Sequence, residues 1–67
     1  MTVGKVLEIT AESKKGFKDA IQEGIERTAK NVKGIQSAWI KEQKVVVEGG
    51  QVKGYRVDLK ITFLVED

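Results

Sequence analysis

Residues 45–65 read VVVEGGQVKGYRVDLKITFLV, and the order of residue types in this stretch decides the fold. Gly49-Gly50 is a two-residue turn signal, because glycine tolerates the positive φ angles that tight hairpins require. Beyond it, Tyr55, Val57, Leu59, Ile61, Phe63 and Val65 alternate with Arg56, Asp58, Lys60 and Thr62. A period of two puts the first set on one face and the second on the other, as in a half-buried strand. The spacing predicts a strand from Val52 to Val65 that runs back, antiparallel, along a long strand from Ile35 to Glu48.

The earlier strand of this hairpin has a different pattern. Simple alternation puts Ala38 and Ile40 on one face and Ile35, Trp39, Val45 and Val47 on the other. Apolar residues on both faces imply that both are covered in places. One helix covers one face, so the second cover is expected from another chain or a ligand.

Upstream, Phe17, Ala20, Ile21, Gly24, Ile25, Thr28, Ala29 and Val32 recur at helical spacing, leaving Lys18, Asp19, Gln22, Glu23 and Glu26 off the stripe. This predicts an amphipathic helix from about Lys14 to Val32. Ser13 is the expected N-cap, since its hydroxyl can accept from an amide of the first turn. Gly34 is the expected C-terminal stop. Gly24 lies inside the apolar stripe, where glycine costs about 1 kcal/mol relative to alanine; its expected use is close approach of the helix to a sheet. Before the helix, Val3 to Thr10 reads as a strand with Val3, Leu7 and Ile9 on one face. The element order is β-α-β-β, an α+β fold with a three-stranded antiparallel sheet and one helix.

The chain has 67 residues and reads as one domain over 1–67. A core of this size is marginal, and small folds usually need a staple. Cysteine and histidine are both absent, which excludes disulfides and thiolate or imidazole metal sites. Association with further copies is the staple left open. The formal charge is +2, and the lysines are scattered rather than gathered in a basic stripe interleaved with aromatics, so nucleic-acid binding is not expected. No apolar run approaches the ~20 residues of a membrane span, and the start MTVGKVLEIT has no signal-peptide pattern. A soluble, cytoplasmic protein without nucleic-acid or membrane partners is expected.

Catalytic constellations are nearly absent. Carboxylate pairs such as Glu8/Glu12 or Glu23/Glu26 are conceivable, and Glu23/Glu26 falls on the polar helix face, where a solvated charge is the simpler reading. No enzyme is expected. Two side chains have a choice of roles. Trp39 either fills a core or offers a flat stacking face, which adds roughly 0.5–1.5 kcal/mol beyond area burial. Arg56 is either a solvated surface charge or a planar donor fork for a carbonyl, carboxylate or phosphate.

With KVLEITAES (residues 5–13), Phe17, the helix AIQEGIERTAKNV (20–32), IQSAWIKEQ (35–43) and GYRVDLKITF (54–63) in this order and spacing, nearly the whole chain resembles the dodecins, very small flavoproteins. The resemblance implies a sheet partly wrapped around its helix and a hollow homododecamer. It also implies flavin (riboflavin, FMN or FAD) stored or sequestered between subunits without turnover. Aligned without gaps, the family's stacking tryptophan position falls on Ser37, its flavin-bonding glutamine position on Arg56, and an acidic position near the ribityl chain on Glu42. Trp39 is two residues beyond Ser37, on the same face and displaced by roughly 6–7 Å. Ser37, Trp39, Glu42 and Arg56 are therefore the candidate cofactor-binding residues, with Arg56 either helping to hold an anionic ligand or plugging the pocket by pairing with Glu42 or a neighbour. The alternative is a flavin-free cage holding Ca²⁺ or Mg²⁺ or small anions. Glu8, Glu12 and Glu42 are the hard-oxygen ligands available to it, although their spacing matches no known metal loop and no metal-ligating set is assigned.

Overall fold

β3 (Gln51–Val65) lies at the centre of the sheet, between β1 (Val3–Ser13) and β2 (Ile35–Glu48), and both pairings are antiparallel. One helix, α1 (Phe17–Ala29), follows β1. The structure is a computed structural model and describes residues 2–65. The expected β-α-β-β order holds. The period-two pattern of β3 is its burial pattern: Val57, Leu59 and Ile61 are fully buried, and with Ala20 they form the core. Leu7, Ile9, Ala11, Phe17, Ile21, Ile25, Ile35 and Ala38 pack around it. Tyr55, expected in the core, is half-buried and meets Phe17 edge to face, with ring centroids 5.1 Å apart.

Three expectations about the ends of the elements are corrected. Ser13 does not cap the helix. It is the last residue of β1, three positions before Gly16, which occupies the cap position without a side-chain bond. Its hydroxyl instead accepts from the Lys15 amide at 2.9 Å and donates to Asp19 Oδ2 at 2.6 Å, tying the turn to the helix's first turn. Gly34 does not end the helix either. The helix stops at Ala29, where i→i+3 bonds from Lys30 to the Arg27 carbonyl and from Asn31 to the Thr28 carbonyl tighten the last turn. Gly34, with φ +76°, turns the chain into β2, and its carbonyl accepts from the Leu64 amide at 3.0 Å. Finally, β1 continues past Thr10 to Ser13.

Gly24 serves the close approach expected of it. A Cβ at this position would lie 2.9 Å from Ala11 Cβ and 3.3 Å from Ile9 Cδ1. The Gly49-Gly50 turn is also as expected, with φ of +59° and +74° closing Glu48 onto Gln51.

The register of β2 on β3 is broken at three places, and these breaks correct the face assignment. Gln36 and Lys41 on β2 and Lys53 on β3 have no register partner. Each extra residue flips the inward and outward alternation beyond it. Ile35 pairs with Phe63, Ala38 with Ile61, Ile40 with Leu59 and Val45 with Tyr55, so all four lie on the helix side of the sheet. Of the residues assigned to the second apolar face, Trp39 is the one that faces away from the helix, opposite Lys60. The apolar residues that β2 turns away from the helix are therefore Trp39 and Val46, which pairs with Gly54.

Apolar surface remains exposed for another reason. A 13-residue helix is about 20 Å long, whereas a 15-residue strand extends about 50 Å. The helix packs over β1 and β3, and it leaves Ile40, Val45, Val47 and Val52 exposed along the hairpin. The molecule measures 52 × 19 × 13 Å. Its radius of gyration is 13.8 Å, against about 11 Å for a compact chain of this length. Its accessible surface is 5151 Å², against about 4,200 Å² for a compact monomer of this mass.

Gly24→Val is expected to lower the unfolding free energy by about 1–3 kcal/mol, because the side chain overpacks the contact with Ala11 and Ile9. Urea unfolding at one fixed protein concentration measures it.

Candidate functional site

The sheet face away from the helix carries all four candidate residues. Ser37 pairs with Thr62, Trp39 with Lys60, Glu42 with Asp58 and Lys44 with Arg56. Directly paired residues share a face, so Ser37, Trp39, Glu42 and Arg56 lie on one side of the sheet. Glu42 shares this face because the unpaired Lys41 shifts the alternation by one step. On β1 the same face presents Val6, Glu8, Thr10 and Glu12, opposite Thr62, Lys60, Asp58 and Arg56.

Trp39 is 62% exposed, the most exposed large apolar residue among those described. It does not fill the core of the monomer. Ser37 is also exposed and sits two residues along β2 from the indole, on the same face. The candidates do not converge within one chain. Trp39 lies opposite Lys60, so Arg56 is four residues away along β3, roughly 13 Å.

Arg56 does not pair with Glu42, as one reading of the sequence had it. Its Nε and a terminal nitrogen donate to Glu12 Oε1 at 2.9 and 2.7 Å. The register decides this: Glu12 is the direct β1 partner of Arg56, whereas Glu42 stands beside Asp58. Glu42 instead lies 3.7 Å from the Lys44 ammonium. Two further contacts cross the face: Thr10 donates to Asp58 at 2.9 Å, and Lys41 reaches Glu8 at 3.5 Å. Sequence reasoning singled out neither Glu12 as the partner of Arg56 nor Lys60, whose ammonium lies over the Trp39 ring, 5.4 Å from its centroid. This distance is within cation–π range.

Among the described residues, no three Asp or Glu side chains come together as a metal site. Of the carboxylates offered for a cation, Glu8, Glu12 and Glu42 each face a lysine or arginine. The catalytic candidates fare similarly: Glu23 pairs with Arg27 at 2.9 Å and Glu26 accepts from Gln22 at 3.0 Å. A groove of about 340 Å³ lies elsewhere, between β1 and α1, and Ile9, Ala11, Glu12, Gly24 and Thr28 help to line it.

The Dodecin family model matches residues 3–66. The chain belongs to the dodecin family. An arginine-to-alanine variant of the T. thermophilus dodecin superposes with a TM-score of 0.94 and 28% identity, covering 100% of both chains. The dodecin of Streptomyces coelicolor, 23% identical and covering 98% of this chain and 94% of its own, shares the fold with a TM-score of 0.92. A calcium-chelating dodecin from Mycobacterium tuberculosis is 29% identical with a TM-score of 0.82, covering 96% of this chain and 91% of its own. No curated protein matches the sequence. Dodecins are in general small flavin-binding proteins, and the mycobacterial neighbour binds calcium. No described helix is long and apolar enough to cross a membrane.

Arg56→Gln is expected to change the unfolding free energy by less than about 1 kcal/mol, because its pair with Glu12 is half-exposed and screened by solvent. Denaturant midpoints of the two proteins under matched conditions measure it.

Proposed function

We propose that this dodecin binds flavin (riboflavin, FMN or FAD) without turnover, storing or sequestering it at the seams of a homododecamer. The exposed Trp39 indole, standing on the sheet face away from the helix, carries this reading. A largely solvated tryptophan is a costly surface feature unless something flat covers it, and a planar heteroaromatic matches its face. The groove between β1 and α1 and the one beside the first turn of α1 do not include the indole, so the opposing wall is assigned to a second copy. The uncovered apolar length of the hairpin supports such association.

The residues present fit a flavin, though not by the family's usual arrangement. Trp39 offers the stacking face, and the small Ser37 leaves open the position beside it. Lys60 supplies a cation next to the ring. Glu42 borders the same face and is assigned to the polar chain of the ligand. Arg56 has its guanidinium engaged by Glu12, so it lines the seam rather than bonding the ring edge. When bound, the flavin supplies the chromophore and the planar surface. The protein supplies stacking, exclusion of water and a counter-charge.

The reading is tested by adding purified protein to FMN or riboflavin and following flavin emission, alongside the mass in solution. Quenching at micromolar protein by a particle of about twelve chains is expected, and Trp39→Ala is expected to weaken the quenching at least several-fold, given the stacking contribution. Unchanged emission would remove the flavin reading.

A flavin-free cage holding Ca²⁺ is the second reading, favoured by the calcium-chelating neighbour. Because Glu8, Glu12 and Glu42 are spread over the face and paired, the ligands would have to be completed across subunits. Calorimetry with Ca²⁺ is then expected to show binding; no heat would count against it.

A further inference from the structure

We infer that the free edge of β1, with the adjoining flank of α1, is a two-fold contact between copies of this chain that joins two three-stranded sheets into one of six strands. The inference rests on the self-association in the reading above and names one surface that carries it.

The sheet has two outer strands, β1 and β2. A strand edge presents amides and carbonyls that another strand can pair with. The two edges differ. β2 is interrupted by Gln36 and Lys41, which have no register partner, and bulges and lysines are the usual means of blunting an edge. β1 is not interrupted. Its register with β3 runs unbroken from Val3 to Ser13, and Lys5 is the one basic residue among its eleven.

The surface beside this edge is recessed. Ile9, Ala11, Gly24 and Thr28 line the groove between β1 and α1, together with Glu23 and Arg27. The helix crosses the strand at this point, since a Cβ on Gly24 would meet Ala11 and Ile9.

A second copy of the chain fits both the edge and the groove. An antiparallel pair of β1 strands with its two-fold axis through Ile9 sets Leu7 opposite Ala11, Lys5 opposite Ser13, Val6 opposite Glu12 and Glu8 opposite Thr10. No like charges are then directly opposed. An axis one residue earlier would set Glu8 against its own copy, which is destabilising. Because α1 packs over β1 and β3, its axis lies about half a strand spacing inside the edge. Strands about 4.8 Å apart then bring the two helices to about 10 Å, a helix-packing distance. The helices run antiparallel, and near Gly24 this places Glu23 of each copy beside Arg27 of the other. Within one chain these two side chains pair at 2.9 Å and stay exposed, so the flank is complementary in charge to its own copy.

The chain has no cysteine, so introduced thiols report this contact alone. Glu8→Cys and Thr10→Cys, both at exposed positions of β1, are co-expressed and oxidised, and each is also oxidised alone. Directly opposed residues stand about 4.5–5.5 Å apart between Cα atoms, a span that a disulfide bridges. Each introduced residue meets its own copy only on the diagonal, about 7–8 Å away, beyond that span. A disulfide-linked dimer is therefore expected from the co-expressed pair and not from either variant alone. Arg27→Glu and Glu23→Arg give a second measurement, by mass in solution across a dilution series. Each lays like charge against its own copy and is expected to associate several-fold more weakly, whereas the two mixed are complementary and are expected to regain the association of the unmodified chain. The contact is overturned, and self-association stands, if the unmodified chain assembles but the cysteine pair gives no linked dimer, or if each cysteine variant alone links as well as the pair. A mixture of the charge variants that associates no better than either alone also overturns it. An unmodified chain that is monomeric overturns both.

Discussion

The structure is governed by a mismatch of lengths. A helix advances about 1.5 Å per residue and a strand about 3.3 Å. A helix of 13 residues therefore cannot roof a hairpin whose strands have 14 and 15 residues. What it does roof, it packs closely: Gly24 lets α1 settle onto Ala11 and Ile9, and the buried side chains of β3 lie beneath. Fully burying a valine, leucine or isoleucine stabilises by about 1.5–3 kcal/mol, and among the described residues Val57, Leu59 and Ile61 reach that state. The rest of the apolar hairpin is left for another surface to cover. Self-association, the proposed remedy, thus follows from the proportions of the elements.

The same geometry separates the two sides of the sheet by task. On the helix side, the residues of β3 are apolar because they are buried. On the other side, no described helix covers the sheet, and most register pairs there are polar, Val6 with Thr62 and Val46 with Gly54 being among the exceptions. Glu12 with Arg56, Thr10 with Asp58 and Glu8 reached by Lys41 form contacts that hold charges in place across strands rather than add much stability. Against this background one large apolar group stands out. Trp39 finds no apolar neighbour among its register partners, only the Lys60 ammonium.

Much of the fold could be read directly from the residues. The period-two run of β3 and the Gly49-Gly50 turn appear where the residues placed them, and the apolar stripe forms a helix over Phe17–Ala29, shorter at both ends than the expected Lys14 to Val32. The misreadings fall where sequence carries no period. Ser13 looked like a cap, but the chain needed three more residues to turn, and its hydroxyl went to Asp19 instead. Gly34 looked like a helix stop because a glycine after a helical stripe often is one; here its positive φ serves the entry to β2. The faces of β2 were misassigned because a bulge has no signature in composition. Lys41 resembles any other strand lysine, yet its insertion moves Glu42 onto the face shared with Trp39.

The Trp39–Lys60 pair shows that register held a signal that composition did not. Counting outward in equal steps from the Gly49-Gly50 turn sets Trp39 opposite Lys60. That pairing survives in the structure because the extra residue on β3, Lys53, and the extra residue on β2, Lys41, cancel between the turn and the indole. Between those two bulges the pairing is offset by one, which brings Lys44 opposite Arg56 and Glu42 opposite Asp58. Carboxylates and cations are thereby interleaved along the strip next to the indole, where Lys41, Lys44 and Arg56 each face a carboxylate. Had the bulges not cancelled, Trp39 would face a neighbour of Lys60 on the other side of the sheet. The indole would then point toward the helix side, and the ammonium would have no aromatic partner. Two single-residue insertions on opposite strands therefore fix which chemistry the face away from the helix presents.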